Sequence, residues 1–503
     1  MSPPVDHDGS PPIAPPGPIV AVIGAGLAGL SAAVYLRRAG YRVRVYDPAP
    51  MGGKARTLEP RPGWRIEWGP HSFTSRAYAL FDLAALLGVG DRTVRLGAAA
   101  NTRFLVRGGR LRKAPFGGGI RLGEALGLVA GLFRRVPDVP GESVREWVRR
   151  RFGEAFARGP LDAMMTGIWA SDPATIEMNA AFPTVTDLVR TEGTVFRALR
   201  EMQRLARRMR ASGAAREAGT WGFPLGMGEL VDAARAHLGD DAVRVAAVSG
   251  IARVDGGYAV TSGGTSGGTS GGTVETVDAV ILATEAPAAA RLLADLAPDA
   301  AVALGEVVYA PLAVAHWLAP DAALPHGFGY LAPEAEARDV LGTIFVSDLY
   351  PDRVPAGHRA FATMLGGGRH PERVGLDDAA VKRMLEAEHL QLTGRSVTIS
   401  DLHVVRHAHA VAPPRVGEGG HAGRIARIEA ALPLGVFVAG AWCGAGAMDD
   451  AIRSGREAAE RVESGASWGG GQAPRNAPRD GSSTVTPAST PPRGSDSGGR
   501  HVA

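Results

Sequence analysis

Three glycines near the start of the chain have the spacing of an anion-binding turn. They follow the apolar run Ile19 to Ile23, which is typical of a buried strand, and precede a helical pattern that ends at Arg38. The first glycine permits a tight turn, the second lets the backbone approach a pyrophosphate, and the third lets the helix pack closely on the strand. Unpaired N–H groups at the start of such a helix point at the phosphates. The predicted phosphate-binding residues are Gly24, Ala25, Gly26, Leu27, Ala28 and Gly29.

A carboxylate follows the next predicted strand. The strand runs from Tyr41 to Tyr46, and Asp47 comes directly after it, where a carboxylate can accept hydrogen bonds from ribose hydroxyls. A strand, a glycine turn, a helix and a second strand ending in an acid together predict a dinucleotide-binding βαβ unit. A purely structural glycine turn is the less favoured interpretation in that context.

Two further segments favour a long cofactor, FAD, over NAD. Residues 51–56 carry a G-G-x-x-R pattern soon after Asp47, and residues 67–73 follow it. Near the other end of the chain, the strand-like run Val436 to Ala439 leads into a glycine-rich turn and a helix from Met448. A helix N-terminus so late in the chain can return to the first domain and cover the flavin end of FAD.

Bulk composition narrows the class of protein. The chain has 503 residues, more than a single hydrophobic core usually serves, and its 45% apolar and 21% charged residues are typical of a globular protein. No apolar run reaches the length of a membrane-spanning helix. Cys443 is the only cysteine, which excludes an internal disulfide and a cysteine metal cluster and favours a reducing, cytoplasmic location.

The pattern along the chain predicts an α/β fold with a discontinuous Rossmann-like FAD-binding domain. We expect that domain to comprise residues 19–78, 217–285 and 415–463, with a helical segment at 79–216 and a mixed α+β substrate-binding domain at 286–414. A proline-rich leader (1–18) and a Gly/Ser/Pro-rich tail (464–503) are expected to be disordered. Three Ser-Gly-Gly-Thr repeats between Ser262 and Thr273 predict a flexible hairpin extension.

The G-G-x-x-R segment and the late glycine-rich strand–helix resemble the superfamily of FAD-dependent amine oxidases, phytoene desaturases and protoporphyrinogen oxidases. Several stretches are similar more specifically to the protoporphyrinogen oxidase family, in order from about Ile19 to Val462. They are residues 142–153, 167–173, 327–333, 341–345, 350–353, 363–367 and 439–456.

The resemblance implies further cofactor contacts. Arg56 would neutralise phosphate, Val248, on a strand predicted at Val243 to Val248, would contact the adenine side, and His71 would line the flavin region. The complete set implied beyond the first turn is Asp47, Gly53, Lys54, Arg56, Gly69, Pro70, His71, Ser72, Val248, Ala441, Gly446, Ala447 and Met448.

The family's substrate is an apolar tetrapyrrole that bears propionates, so the resemblance implies an apolar slot with a cation at its mouth. Arg103 matches the propionate-binding arginine, and a planar guanidinium pairs with a carboxylate through two hydrogen bonds. Gly167, Leu331, Ile344 and Met364 match the slot. The sequence leaves open whether protoporphyrinogen IX or coproporphyrinogen III is preferred.

The reaction implied is hydride transfer from a bridging carbon of the porphyrinogen to flavin, with dioxygen reoxidising the flavin to give hydrogen peroxide. The electron-rich pyrroles assist the transfer, so we expect no catalytic protein side chain. Two alternatives stay open: a related desaturase or amine oxidase acting on a carotenoid-like or amine substrate, and a flavin-bound binding protein without turnover.

Other charged and histidine-rich segments bear on whether the protein binds a metal, a membrane or nucleic acid. His403, His407 and His409 share one face of a predicted strand, but no companion carboxylate or cysteine has metal-site spacing, so we expect no metal. Seven arginines between residues 197 and 216 and the apolar helical run Leu122 to Phe133 favour peripheral contact with the cytoplasmic face of a membrane. Nucleic acid is not expected, because aromatics do not interleave the basic cluster. A homodimer is compatible with the sequence, which does not fix the oligomeric state.

Overall fold

The computed structural model describes residues 17–114, 121–211, 216–263 and 272–465. Of the expected disordered leader (1–18) and tail (464–503), the structure describes only residues 17–18 and 464–465, and Ser464 is the last residue of a helix. The rest of both segments and the centre of the Ser-Gly-Gly-Thr repeat lie outside the described residues.

Twenty strands are assigned in the described residues. In chain order they are β1 (Ile19–Ile23), β2 (Arg42–Asp47), β3 (Thr57–Arg61), β4 (Trp64–Glu67), β5 (Phe73–Thr74), β6 (Val94–Arg95), β7 (Arg103–Arg107), β8 (Arg110–Ala114), β9 (Thr220–Gly222), β10 (Val243–Val245), β11 (Val248–Val254), β12 (Gly257–Ser262), β13 (Thr273–Val277), β14 (Ala279–Leu282), β15 (Ala310–Ala319), β16 (Gly329–Leu331), β17 (Gly342–Ile344), β18 (Arg359–Gly366), β19 (Asp401–Val411) and β20 (Val436–Val438).

Sixteen α-helices accompany them within the same described ranges. They are α1 (Leu27–Arg38), α2 (Tyr78–Leu86), α3 (Leu122–Phe133), α4 (Val144–Phe152), α5 (Glu154–Arg158), α6 (Pro160–Trp169), α7 (Met178–Ala181), α8 (Pro183–Glu192), α9 (Val195–Ala211), α10 (Gly228–Leu238), α11 (Ala286–Leu293), α12 (Pro298–Gly305), α13 (Val346–Leu349), α14 (Asp378–Thr393), α15 (Gly420–Ala430) and α16 (Met448–Ser464).

A five-stranded parallel sheet forms the first structural layer, in the order β10-β2-β1-β14-β20. Its central strand β1 is apolar throughout because both faces are covered: Val20 and Val22 point into one hydrophobic core, and Ala21 and Ile23 point into another. Its strands come from both ends of the chain. Because β1, β14 and β20 are parallel, their carboxyl ends lie at the same edge of the sheet.

A seven-stranded sheet forms the second layer, in the order β19-β15-β18-β17-β16-β7-β8. One face packs on α14 through a core that contains Trp317, Phe345 and Phe361. The opposite face carries Val314, Ala362 and their neighbours and packs on the segment that contains Trp64 and Ile66.

The segment 79–216 differs from the helical pattern we expected, because it also contains strands β6, β7 and β8. Helices α3 to α9 occupy residues 122–211, but β7 and β8 form a hairpin just before them. The run Arg103 to Val106 alternates between the two faces of the second sheet and gains its stability from pairing with β16, which lies more than 200 residues away. Local periodicity does not report a partner that distant.

The strand predicted at Val243 to Val248 is also wrong as drawn. β10 ends at Val245 in the parallel sheet, and Val248 begins β11 in a separate three-stranded antiparallel sheet with β12 and β13. The sequence pattern predicted one strand because the two alanines between β10 and β11 are not turn-forming residues. β12 and β13 pair antiparallel on either side of the repeat, as the predicted hairpin requires.

Candidate active site

The glycine turn has the geometry of a phosphate cradle. Gly24 has φ of +107°, and a Cβ there would lie 2.6 Å from the carbonyl oxygen of Ala283. A Cβ on Gly29 would lie 1.9 Å from the carbonyl oxygen of Gly24, so only glycine lets α1 start this close to β1. A Cβ on Gly26 would meet open space. The turn is therefore closed toward the sheet and open at the position where a pyrophosphate would sit.

The N-terminus of α1 is available to an anion. No side chain caps it, and its first turn contains no acidic residue, so Leu27, Ala28 and Gly29 present N–H groups without a local acceptor. Asp47 holds the turn in place, because its Oδ2 accepts a hydrogen bond from the N–H of Ala25 at 2.8 Å. Its Oδ1 accepts a second hydrogen bond, from the N–H of Ala49 at 2.8 Å.

The late glycine-rich segment lies beside this turn. Ser31, in the second turn of α1, donates to the backbone carbonyl of Ile452 in α16 at 2.8 Å, and a Cβ on Gly455 would collide with the carbonyl of Ala28. The two helices thus run side by side with their N-termini at the same edge of the sheet. Ala441, Gly446, Ala447 and Met448, which precede or begin α16, lie in the loop at that edge.

The G-G-x-x-R segment closes the third side. Gly53 approaches Gly26 so closely that a Cβ on it would lie 3.2 Å from the Gly26 Cα. Arg56 stacks on Trp68, with its guanidinium carbon 4.5 Å from the ring centroid. Lys54 instead forms an ion pair with Glu285 (Nζ to Oε1, 2.9 Å), so its contribution to the cofactor would be shared with that carboxylate.

Residues 69–72 form the link from this cradle to the second sheet. Gly69 lies against Lys54, whose carbonyl would be 2.6 Å from a Cβ on Gly69. The segment continues through Pro70, His71 and Ser72, and the hydroxyl of Tyr350 donates to the backbone carbonyl of His71 at 2.6 Å. Val248, at the start of β11, packs against the hydrophobic core that contains Ala21 and Ile23. Among the described residues, no side-chain hydrogen bond or ion pair connects it to the glycine turn.

A buried ion pair anchors the same link. Arg353 is 0% and Glu67 1% exposed, and Nη1 of the arginine lies 2.6 Å from Oε1 of the glutamate. The carboxylate also accepts hydrogen bonds from the Thr57 hydroxyl and from the N–H of Met227. Both charges are therefore satisfied within the protein, which burial at this depth requires. No local pattern predicts this pair, because its members lie 286 residues apart.

One transverse row of the second sheet connects two of the five predicted substrate residues, Arg103 and Ile344. Arg103 pairs with Gly329, Gly329 with Ile344, and Ile344 with Ala362. Ala362 in turn pairs with His316. Directly paired residues share a face of the sheet, so this row spans four interstrand spacings, about 19 Å, from a guanidinium to an imidazole.

The adjacent row adds the remaining walls of a slot. Leu331 pairs with Gly342, Gly342 with Met364, and Met364 with Val314, on the same face two residues along each strand. Ile344, Leu331 and Met364 are only partly buried, whereas the residues between them on the opposite face, such as Thr343 and Thr363, are buried. The slot face is therefore apolar and accessible in its middle.

Helix α6 lies over one end of this face. A Cβ on Gly167 would come within 2.8 Å of a methyl group of Leu331, so the glycine lets the helix approach the slot. Two residues later, the indole of Trp169 donates to the carbonyl of Ala445 in the late cofactor loop. Gly167 and Leu331 thus lie near the cofactor loop as well as on the slot.

Arg103 lies at the outer end of the row. Its guanidinium covers the ring of Phe328, 4.2 Å from the centroid, and makes one long contact to the Thr220 hydroxyl at 3.5 Å. These are its side-chain contacts among the residues that the structure describes, and neither partner is a carboxylate. Partial desolvation lowers the pKa of Arg103, but a guanidinium stays charged at neutral pH. A guanidinium in this position could bind a carboxylate.

His316, at the inner end of the row, is a buried residue that the sequence pattern did not single out. It is 1% exposed, and its ring lies 5.6 Å from the ring of His71, centroid to centroid. Burial lowers the pKa of both residues, that of His71 to about 3. One signal was present in the sequence, because His316 is the only ionisable residue in the apolar strand Ala310–Ala319.

The three histidines weighed for metal binding have other partners. His407 hydrogen-bonds to the carbonyl of Trp68 at 2.7 Å, and His409 to the carboxylate of Glu285 at 2.9 Å. His403 pairs with His316 across β15 and β19. Within the described ranges, no group of three or more His, Cys, Asp or Glu has metal-binding geometry.

These features fit FAD on structural grounds. The open position above Gly26, the uncapped α1 and the Asp47 carboxylate match the pyrophosphate and ribose of a dinucleotide. The loop before α16 and residues 69–72 extend the same edge toward the slot face, as an isoalloxazine requires.

Comparison with known proteins agrees with this assignment. The family model for flavin-containing amine oxidoreductases matches residues 27–463. The chain is 28% identical to the chloroplastic protoporphyrinogen oxidase of Nicotiana tabacum over 70% of this chain and 68% of that protein. It is 26% identical to the protoporphyrinogen oxidase of Bos taurus over 89% of this chain and 98% of that protein.

Solved structures share the fold. A protein of Exiguobacterium sp. 255-15, provisionally named a protoporphyrinogen oxidase, superposes with a TM-score of 0.73 at 20% identity, over 88% of this chain and 98% of its own. Cyclohexylamine oxidase from Brevibacterium oxydans IH-35A gives 0.64 at 17% identity, over 89% and 99%. The family match covers most of the chain, so the protein belongs to the flavin-containing amine oxidoreductases and is an FAD-dependent oxidoreductase.

Proposed function

We propose that this enzyme oxidises a porphyrinogen, protoporphyrinogen IX or coproporphyrinogen III, to the corresponding porphyrin. Dioxygen would then reoxidise the flavin and be released as hydrogen peroxide. The observation that supports the proposal is the transverse row, in which a guanidinium without an ion-pair partner among the described residues shares one face of the sheet with the apolar side chain of Ile344. The similarity to protoporphyrinogen oxidases over most of the chain supports it.

Each part of the face would perform one task. Arg103 would bind a propionate through a charge-assisted, two-point contact and so fix the register of the macrocycle. Ile344, Leu331 and Met364 would hold the apolar ring, and close packing of α6 through Gly167 would exclude water from it. FAD, when bound, supplies the hydride acceptor. Orientation of the bridging carbon toward the flavin is then the main contribution of the protein.

Anaerobic mixing of the FAD-loaded protein with each porphyrinogen tests the proposal. We expect the flavin absorbance to bleach while porphyrin fluorescence rises faster than in a protein-free control, and peroxide to form once oxygen is admitted. Cyclohexylamine and putrescine serve as amine probes in the same assay. Bleaching by an amine, with none by either porphyrinogen, would contradict the proposal and show that the enzyme oxidises amines.

We also propose that the enzyme touches the cytoplasmic face of a membrane through α3. Leu122, Leu126, Val129 and Phe133 follow one another at helical spacing and are 77%, 62%, 56% and 57% exposed. The ring of Phe133 stacks against Phe196 of α9 at 4.8 Å. Exposed arginines on that helix, which would meet anionic headgroups, are Arg197, Arg200, Arg204, Arg207 and Arg208. Within the described residues, no helix combines the length and the hydropathy needed to cross a bilayer.

Sedimentation with vesicles of phosphatidylcholine, with and without phosphatidylserine, tests this contact. We expect binding to the anionic vesicles, weakened by salt and lost in the double variant Leu126→Glu, Val129→Glu. The matched control is Val302→Glu, since Val302 is 70% exposed on α12, outside the stripe. Equal binding of both variants would show that α3 does not contact the membrane.

A further inference from the structure

A buried ion pair fixes the N-terminal end of α6, the helix that lies over one end of the slot face. Asp162, in the first turn of α6, faces Arg369, which follows β18, and their side chains are 2% and 11% exposed. Nη1 of the arginine lies 3.1 Å from Oδ2 of the aspartate, and Nη2 contacts Oδ1. Two parallel hydrogen bonds between planar groups fix orientation as well as distance.

The same carboxylate is bound to the strand that carries Leu331. The N–H of Glu334, three residues after Leu331, donates to Oδ2 of Asp162 at 3.0 Å. The carboxylate of Glu334 lies 3.3 Å from Nη2 of Arg369. Asp162 thus joins α6 to the loop after β16 and, through Arg369, to the loop after β18. These two strands carry Leu331 and Met364, which form walls of the slot.

The C-terminal end of α6 is attached to the same loop through the backbone. The carbonyl of Ala170, directly after the helix, accepts a hydrogen bond from the N–H of Gly368 at 2.7 Å. A Cβ on Gly367 would lie 2.5 Å from that carbonyl oxygen, so the loop approaches the helix end closely. Between the two attachments, Gly167 packs against Leu331. The helix is therefore held at both ends by the loops that border the slot.

Neighbouring charges allow the pair to be altered without leaving an unpaired cation. Arg145 of α4 lies 3.0 Å from Asp172 and 3.8 Å from Asp162. Arg369 lies 3.6 Å from Asp172 as well as close to Glu334. In Asp162→Asn, two arginines would therefore still face two carboxylates, and the amide oxygen could still accept the N–H of Glu334. We expect this isosteric variant to fold with a looser α6.

We propose that Asp162 and Arg369 are positioning residues that hold α6 against Leu331 and so determine how closely the slot encloses the substrate. The inference rests on the proposed function and deepens it. The two residues act through Gly167 and Leu331 and need no contact with the porphyrinogen. A fixed helix keeps this end of the slot narrow and dry, which favours the apolar macrocycle over water.

Steady-state kinetics with porphyrinogen tests the positioning role in two variants. In Asp162→Asn, we expect KM to rise about tenfold, because a displaced wall encloses the ring less closely. Flavin content should equal that of wild type, and kcat should stay within about twofold, as expected when binding alone is weakened. Arg369→Lys keeps the charge but loses the fork, so its KM should rise by a smaller factor, about threefold.

The matched control is Glu388→Gln, which alters a second buried ion pair attached to the same strand. Arg338 and Glu388 have side chains 10% and 6% exposed, with Nη2 and Oε2 2.6 Å apart. The hydroxyl of Tyr330, next to Leu331 on β16, contacts Glu388 at 3.3 Å. Tyr330 belongs to the core on the α14 side of the sheet, opposite the slot face. Glu388→Gln should therefore lower stability without raising KM.

A double-variant cycle distinguishes positioning from general stabilisation. In Gly167→Ala, the new Cβ would come within 2.8 Å of a methyl group of Leu331, so KM should rise while α6 is held in place. In the Asp162→Asn background the helix can move away, and the same alanine should cost less. We expect the combined KM to fall short of the product of the two single effects by about threefold or more. Effects that simply multiply would overturn the positioning role.

Amide hydrogen exchange of residues 160–170 reports the attachment of α6 without any substrate. Exchange should be faster in Asp162→Asn than in wild type, and unchanged in Glu388→Gln. Unchanged exchange in Asp162→Asn, or a wild-type KM in that variant, would overturn the positioning role and leave the proposed function intact. If Asp162→Asn gives no soluble protein, a wild-type KM in Arg369→Lys would have the same meaning.

A wild-type enzyme that neither porphyrinogen reduces would overturn the proposed function and, with it, the role of the pair toward that substrate.

Discussion

The two sheets of this enzyme use different parts of the chain to build their half of the site. In the five-stranded parallel sheet, the candidate site is built from the backbone: N–H groups at the start of α1 and the absence of side chains at Gly24, Gly26 and Gly29. In the seven-stranded sheet, it lies in side chains that line up only after strands from residues 103 to 411 have paired. The first kind of site leaves a local sequence signature, and the second does not.

Breaking the backbone-built half should have the largest effect. In Gly29→Ala, the new Cβ would meet the Gly24 carbonyl at 1.9 Å, a clash with backbone that no rotamer relieves. We expect loss of soluble, flavin-bearing protein, measured by the flavin absorbance of the purified chain. Gly97→Ala should keep its flavin, because a Cβ there meets nothing within 4 Å.

The buried ion pair between the two halves should give the next largest effect. Arg353→Met leaves Glu67 charged and unpaired at 1% exposure, which should lower the free energy of unfolding by about 3–5 kcal/mol. Urea denaturation measures the change. The double variant Arg353→Met, Glu67→Gln should recover part of it, and a loss below about 1 kcal/mol in the single variant would contradict the role assigned to the pair.

Replacing Arg103 tests the part of the candidate site on the seven-stranded sheet and leaves the glycine turn of the five-stranded sheet unchanged. In Arg103→Ala, a charge-assisted pair is lost, so KM for porphyrinogen should rise about 10- to 100-fold while flavin content stays at wild type. Arg110→Ala is the control, since Arg110 is exposed at the far end of the neighbouring strand. An unchanged KM would remove Arg103 from the slot.

The smallest effect concerns pH. Burial lowers the pKa of His71 to about 3, and that of His316 well below the ordinary value of 6.5. Between those values the unfolded chain binds protons that the folded chain does not, so the free energy of unfolding should fall as pH decreases below 6.5 and be insensitive to these groups above it. The double variant His71→Gln, His316→Gln should show a shallower fall in urea titrations at a series of pH values.

The contrast between the halves also explains what could be predicted from the sequence. The turn at Gly24, the helix from Leu27 to Arg38 and the late helix from Met448 were predicted because each is determined by neighbouring residues. The hairpin β7–β8, by contrast, depends on pairing with β16, and the strand containing Val248 belongs to another sheet than β10. His316 and the Glu67–Arg353 pair owe their importance to contacts across hundreds of residues.

The resemblance to a known family predicted some residues that local sequence patterns could not. It pointed to Arg103, Leu331, Ile344 and Met364, which composition alone would leave among ordinary surface and core residues. The structure brings all four to one face of the second sheet. Their roles toward a substrate stay proposals until a ligand is bound.

A crystal structure of the FAD-loaded enzyme with a bound porphyrin tests the central claim most directly. We predict the isoalloxazine between the loop that precedes α16 and the slot face, the macrocycle over Ile344 and Met364, and a propionate on the guanidinium of Arg103. A macrocycle bound away from that face, or a flavin that does not face the transverse row, would contradict the account.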